Sequence, residues 1–263
     1  MYSWCDYRIP SQTFAIEALH LVEPDDTLSI RQMQQWLLHE KRTTGWSNSI
    51  NAVNAVYAFL MDGGIGRLTP TMNGEQEVTM AVDGKAISLP EATSGIGCVK
   101  TTMNGNDVHE LTIRKSTTGT SWGAVYAQFT QKASHVKAVA SGLTIKREIT
   151  EAPTTLAVGK KVTVRITIIA DRDYDFVQVQ DKRASCLEPA NALSGYRNGC
   201  YQNPKDNVTN YFFDHLRKGR HIVETIYYVD RMGDYTSGIA TVQCAYAPAF
   251  GGREEGKAIE VKK

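Results

Sequence analysis

No run of about 18 consecutive apolar residues occurs in this 263-residue chain, so no segment has the length of a membrane-crossing helix. An excess of one charge is also missing. The 29 basic and 28 acidic residues leave a net charge of +1, with no basic stripe or acidic tail. That balance points away from nucleic acid and anionic lipid as partners. The opening MYSWCDYRIPSQTF lacks a charged stretch followed by an apolar one and does not read as a signal peptide. Cysteine is sparse and scattered: Cys5, Cys98, Cys186, Cys200 and Cys244 form neither a Cys-x-x-Cys pair nor a Cys/His group with zinc spacing. Cys186 and Cys200 flank one loop and could close a short disulfide; free, buried thiols are the plainer reading.

Motifs that carry catalysis are absent as well. His20, His39, His109, His135, His215 and His221 stand apart, with no His-Glu-x-x-His. No Gly-x-Ser-x-Gly elbow or dinucleotide fingerprint occurs, and Gly63-Gly64-Ile65-Gly66 lacks the Lys-Ser/Thr of a phosphate loop. Asn73-Gly74-Glu75-Gln76 looks like the Cys-Gly-Glu-Gln of an internal thioester, but Asn73 supplies no thiol, so the segment reads as a turn. Asp171-x-Asp173-x-Asp175 opens like a calcium loop. Phe176 and Lys182 then stand where Gly and Glu are needed, which leaves a charged turn as the better reading. We therefore assign no catalytic, cofactor-binding or metal residue and expect a protein that is not an enzyme.

Periodicity carries most of the information. Ser11–Leu21 reads as a helix, and Leu28–His39 as a second with Ile30, Met33 and Leu37 on one face, broken at Lys41–Gly45. A third, capped by Ser47 or Ser49, places Ile50, Val53, Val56, Tyr57 and Leu60 inward, and Gly63 and Gly64 stop it. Glu77–Val82, Asp83-Gly84 and Lys85–Leu89 form a hairpin signal; Leu111–Lys115 and Trp122–Phe129 read as further strands. Gln131–Ser141 is weakly patterned and marks a boundary. Beyond it, Leu143-Ile145-Arg147-Ile149, Val162–Ile168 and a short Val177–Val179 strand alternate; residues 183–208 read as a long loop. The chain ends in a hairpin pairing Arg220–Val229 with Ile239–Tyr246 around an insert, Asp230–Gly238. Its aromatic group (Tyr211, Phe212, Phe213, Tyr227, Tyr228, Tyr235, Tyr246) reads as core rather than as a binding platform.

Three amphipathic helices cannot close a core as a stacked helical array does, so residues 1–62 read as the tail of something longer.

Several stretches together resemble the C-terminal region of bacterial α2-macroglobulins, particularly those of Bacteroides-like bacteria. They are Trp36-Leu37-Leu38-x-x-Lys41 with Trp46; Ala55-x-Tyr57-Ala58-x-Leu60; and Trp122-Gly123-Ala124-x-Tyr126-x-Gln128. Further on come Asp171-Arg172-Asp173, Asp181-x-Arg183-Ala184-Ser185, Asn210-x-Phe212-Phe213-Asp214-x-Leu216-x-Lys218-Gly219, and Gly233-Asp234-Tyr235 through Tyr246-Ala247-Pro248. The resemblance implies a mixed, mainly β chain in three parts: residues 1–62 as the end of an α/α-toroid, 63–138 as a CUB-like β segment, and 139–263 as a macroglobulin-like antiparallel β-sandwich. It further implies a non-catalytic portion of an envelope-associated, periplasmic or surface-exposed endopeptidase inhibitor. Its partners would be proteases, through the full-length parent, and the rest of the macroglobulin chain. A cell-surface adhesion module is the alternative.

Overall fold

The computed structural model describes residues 7–46, 48–60, 78–90, 99–105, 108–116, 123–128, 130–132, 135–150 and 156–263. Two compact units are present, residues 1–38 with 46–129 and residues 39–45 with 130–263.

Three helices open the chain: α1 (Arg8–Val22), α2 (Thr27–Thr43) and α3 (Ser49–Leu60). Asp26 starts α2 by accepting the Ser29 N–H at 3.1 Å; the Ser29 hydroxyl first, and then this N–H, hold its carboxyl below the usual range. The second helix runs past the expected break, because Lys41 and Arg42 are good helix formers. It closes where the N–H groups of Thr44 and Gly45 both return to the Glu40 carbonyl at 3.0 Å. Asn48, not a serine, caps α3, its side-chain oxygen taking the Asn51 N–H at 2.8 Å; Ser47 lies outside the described residues, as do Gly63 and Gly64.

The face α3 buries is also not the expected one. Asn51, Ala55 and Ala58 point inward, while Ile50, Val53, Val56 and Tyr57 are exposed. Small side chains allow close helix contact, and the core they join is modest: Ile9, Ile16 and Leu37, with Met33, Trp36, Trp46 and Phe59 packed around it. Polar side chains finish this joint, Gln34 donating to the Ala58 carbonyl and the Trp46 indole to that of Leu37, both at 3.0 Å.

A small sheet follows, ordered β2-β1-β3, from β1 (Val78–Val82), β2 (Lys85–Ile87) and β3 (Leu111–Lys115). Positive φ at Asp83 (46°) and Gly84 (77°) makes the expected tight turn. The Asp83 carboxylate then accepts the Glu110 N–H at 2.8 Å and fixes the third strand. Residues 123–128 lie in no strand, contrary to expectation, and Val125 and Tyr126 stay exposed; Trp122 and Phe129 lie outside the described residues.

From Val139 onward one eleven-stranded antiparallel sheet folds over on itself. One half comprises β10 (Gly195–Arg197), β11 (Cys200–Pro204), β12 (Val208–Leu216), β8 (Tyr174–Lys182) and β15 (Ala240–Cys244). The other comprises β5 (Leu143–Thr150), β7 (Lys161–Ala170), β13 (Gly219–Val229) and β9 (Leu187–Pro189), and β16 (Gly251–Arg253) with β4 (Val139–Ser141) connects them. Inward residues alternate along each strand, Val162, Val164, Ile166 and Ile168 on β7 for example, and make one continuous core. Contacts across it join Thr209 Oγ1 to Tyr227 Oη at 3.0 Å and Tyr211 Oη to Thr225 Oγ1 at 2.7 Å. A second small sheet, β14-β17-β6, is built from β14 (Gly233–Thr236), β17 (Ala258–Lys262) and β6 (Leu156–Ala157).

Two sequence expectations fail in this unit. The terminal hairpin does not exist as a pair: β13 joins β7 and β9, whereas β15 sits between β8 and β16. The 230–238 insert is too long for a tight turn and carries β14, which pairs with the terminal strand, so the chain crosses to the opposite half. The long loop at 183–208 also holds β9, β10 and β11. Asn198-Gly199, with φ of 52° and 78°, is a hairpin turn of the same kind as Asp83-Gly84.

Gly142 joins β4 to β5 at φ +73°, and a Cβ there would collide with Tyr174 Oη and touch Phe250. Tyr174 is fully buried and donates to Asp171 Oδ1 at 2.6 Å, so it has no room to yield. Gly142→Ala is expected to cost roughly 2–4 kcal/mol from left-handed backbone strain and overpacking together, read by denaturant unfolding. A cost below about 0.5 kcal/mol, the range of neutral surface changes, would show that this corner is loose.

Candidate functional site

Arg147 occupies an inward position of β5, in the alternation that gives Leu143, Ile145 and Ile149 to the core. A buried guanidinium is costly unless every donor is met and its charge is balanced. Here Nη1 donates to Asp181 Oδ1 at 2.6 Å and to the Lys182 carbonyl at 3.0 Å. Nη2 donates to Ser237 Oγ at 2.9 Å and to the Gly238 carbonyl at 2.6 Å. Nε pairs with Glu254 Oε1 at 2.9 Å, and the Arg147 backbone N–H donates to Glu254 Oε2 at 2.7 Å. One side chain thus holds β5, the end of β8, the entry to β15 and the segment after β16.

The next shell is equally buried. Arg183 donates through Nε to the Leu187 carbonyl at 3.0 Å and through Nη2 to the Lys205 and Asp206 carbonyls at 2.6 and 2.7 Å, stacking over Tyr227 at 5.9 Å. Burial and then the Asp181 charge push the Tyr227 hydroxyl up to about 12; burial raises Tyr211 as well. Burial also raises the Glu254 carboxyl, and its bond from the Arg147 N–H only partly offsets this. Ser237 Oγ accepts the Lys257 N–H at 3.0 Å, and the Ser237 N–H returns to the Lys257 carbonyl at 2.7 Å, tying the chain's end into the same cluster. With no exposed acid, base or nucleophile in it, the arrangement fixes strands in place.

Residues singled out in the sequence are dispersed. Asp171 bonds Arg172 and Tyr174, Asp173 accepts the Lys218 N–H at 2.7 Å, and Asp175 pairs with His215 at 2.6 Å. The Asp173 bond stitches the β7–β8 corner to the β12–β13 corner; the three carboxylates do not converge, and no metal-ligand cluster is found among the described residues. His20 bonds the Ile16 carbonyl within α1, His221 bonds the Arg217 carbonyl, and the His109 N–H meets Asp83. Cys186, Cys200 and Cys244 are buried and free, and burial raises the first two thiols. Asn73-Gly74-Glu75-Gln76, Cys5 and Cys98 lie outside the described residues.

The aromatic group divides by strand alternation. Tyr211, Phe213 and Tyr227 are core and Tyr235 packs against it, while Phe212, Tyr228 and Tyr246 face outward. Across the outer face of β10-β11-β12 runs a ring row, Tyr196, Tyr201 and Phe212, with centroids 5.4 and 6.5 Å apart. Neither Tyr196 nor Tyr201 drew notice in the sequence, although the Asn198-Gly199 turn places them opposite each other.

This fold defines an antiparallel β-sandwich whose polar interior is architectural. Residues 134–249 match the family model of the bacterial alpha-2-macroglobulin MG10 domain. Among solved structures the chain is similar to an Escherichia coli alpha-2-macroglobulin activated by trypsin, at 13% identity and a TM-score of 0.51, over 97% of this chain and 18% of that one. A Salmonella alpha-2-macroglobulin reacted with methylamine matches at 16% identity and a TM-score of 0.44, over 97% of this chain and 17% of that one. At such identities the E. coli likeness speaks for the fold alone, and this chain spans under a fifth of either protein's length. A comparison with curated protein sequences gave no match. The resemblance to the C-terminal region of bacterial alpha-2-macroglobulins holds, and the terminal domain is a macroglobulin-like sandwich.

Arg147→Met would strand the Asp181 and Glu254 carboxylates, and we expect a loss of about 3–5 kcal/mol in denaturant unfolding. Replacing Arg147, Asp181 and Glu254 together with apolar residues should cost less than the single change; a larger cost would mean the charges themselves stabilise the fold.

The pH dependence has a definite sign. Glu254 is raised when folded, so its contribution is complete below the unfolded carboxylate pKa near 4.5 and is lost as pH rises through the folded value. Between neutral pH and about 4.5, wild type should gain stability on acidification relative to Glu254→Gln, which cannot titrate. Parallel melting curves for the two would show instead that Glu254 titrates normally.

Proposed function

We propose that this chain is the non-catalytic C-terminal portion of an alpha-2-macroglobulin-type endopeptidase inhibitor of the bacterial cell envelope. Its parts would be 1–62, the end of an α/α-toroid; 63–138, a CUB-like β segment; and 139–263, the terminal sandwich. The MG10 match over residues 134–249 carries the reading. The exposed face of α3 supports it: Ile50, Val53, Val56 and Tyr57 form the apolar side that a further helix of a stacked array would cover. In such an inhibitor a protease cuts a bait segment elsewhere in the parent, and the parent then rearranges around it. A sandwich clamped at its centre would act as a rigid body in that change, moving as a unit while helix contacts exchange.

A binding or adhesion module is the second reading. The row Tyr196, Tyr201 and Phe212 favours it, since aromatic side chains on an outer sheet face suit a partner surface.

Limited trypsin digestion of the chain separates the parts. We expect a resistant fragment starting between residues 138 and 145 and rapid loss of residues 1–62. A compact, resistant 1–62 piece would sink the array reading. Antibodies against the sandwich should detect, in the natural host, a species much larger than 29.1 kDa whose native-gel mobility shifts after brief trypsin treatment. A species of the chain's own mass, unshifted by trypsin, would favour the binding module.

A further inference from the structure

Beside the Arg147 cluster lies a small, partly open cavity of about 20 Å³, lined by Arg147, Asp181, Arg183 and Ser237 on its polar side and by apolar residues such as Val164 and Leu187. Arg183 is 8% exposed, and while Nε and Nη2 are met by three carbonyls, its buried Nη1 has no partner among the described residues. A guanidinium carries five N–H donors, and buried donors are nearly always met by protein or by ordered water.

We propose that this cavity is a binding site for a single water molecule, which accepts from Arg183 Nη1 and donates to the oxygens of Asp181 and Ser237. Size selects the guest: one water needs roughly 10–15 Å³ of such space, so a larger organic anion does not fit. Charge selects it again. Arg147 and Arg183 are balanced by Asp181 and Glu254, so a neutral guest leaves the cluster neutral and a halide does not. Polar partners on one side and an apolar wall on the other hold such a water in one orientation. It would bond Arg183 to Asp181 and Ser237, adding a link that the direct hydrogen bonds of Arg183, all to carbonyls, do not supply.

A high-resolution crystal structure of the full chain, with a parallel sodium bromide soak, tests this. The expected result is a single peak at roughly 2.7–3.2 Å from Arg183 Nη1, unchanged and without anomalous signal after the soak. A dry cavity, or a bromide anomalous peak in it, overturns the proposal. In solution, water-to-amide cross-relaxation at the Leu187 N–H should report a water held longer than molecular tumbling. That signal should disappear in Ala184→Val, which fills the cavity wall, while the remaining amide spectrum persists; a signal that survives the filling would contradict the site.

Discussion

A positive charge buried at the centre of a β-sandwich has to be answered from every side, and Arg147 is answered by three separate parts of the chain. Its partners Asp181, Ser237, Gly238 and Glu254 lie between 34 and 107 residues away in sequence. Hydrophobic burial is tolerant of sliding, because one apolar side chain replaces another with little loss. Charged hydrogen bonds of 2.6 to 2.9 Å are not. Strand register, the folding of one sheet over itself and the placement of the terminal segment all meet at this residue. Whether such a cluster adds net stability is a separate matter, since desolvation offsets much of the attraction. Its clearest effect is to allow only one arrangement.

Alternation made much of the β architecture legible: Val162, Val164, Ile166 and Ile168 read correctly as one face, and Asp83-Gly84 as a turn. What alternation does not encode is partner choice. Arg220–Val229 and Ile239–Tyr246 are strands, yet short corners at Arg217-Lys218 and Asp171–Asp173 send successive strands to opposite halves, so sequence neighbours are not sheet neighbours. The β10–β11 hairpin was readable from Asn198-Gly199 but lay hidden in a stretch whose Asn, Gly and Pro content suggested a loop. Arg147 carried a local signal too, a charge on an apolar face, but its partners are set by tertiary contacts that no spacing reveals. For α3 the rule that large apolar residues face inward gave the wrong side, because that helix presents alanines to its neighbours and leaves the larger residues open.

These two regions suggest different mechanical roles. The sandwich is closed and internally cross-linked. The helices have a small core of their own and an uncovered apolar face, as expected of elements whose stability depends on neighbours.

Native-state hydrogen exchange on Arg147→Met compared with the parent chain examines the central clamp most directly. If Arg147 holds the distant segments jointly, the amides of Ser237, Glu254 and Lys257 should lose protection together and by similar factors, while those of β7 change little. Loss confined to residues adjoining position 147 on β5, with Ser237, Glu254 and Lys257 unaffected, would contradict a shared anchor.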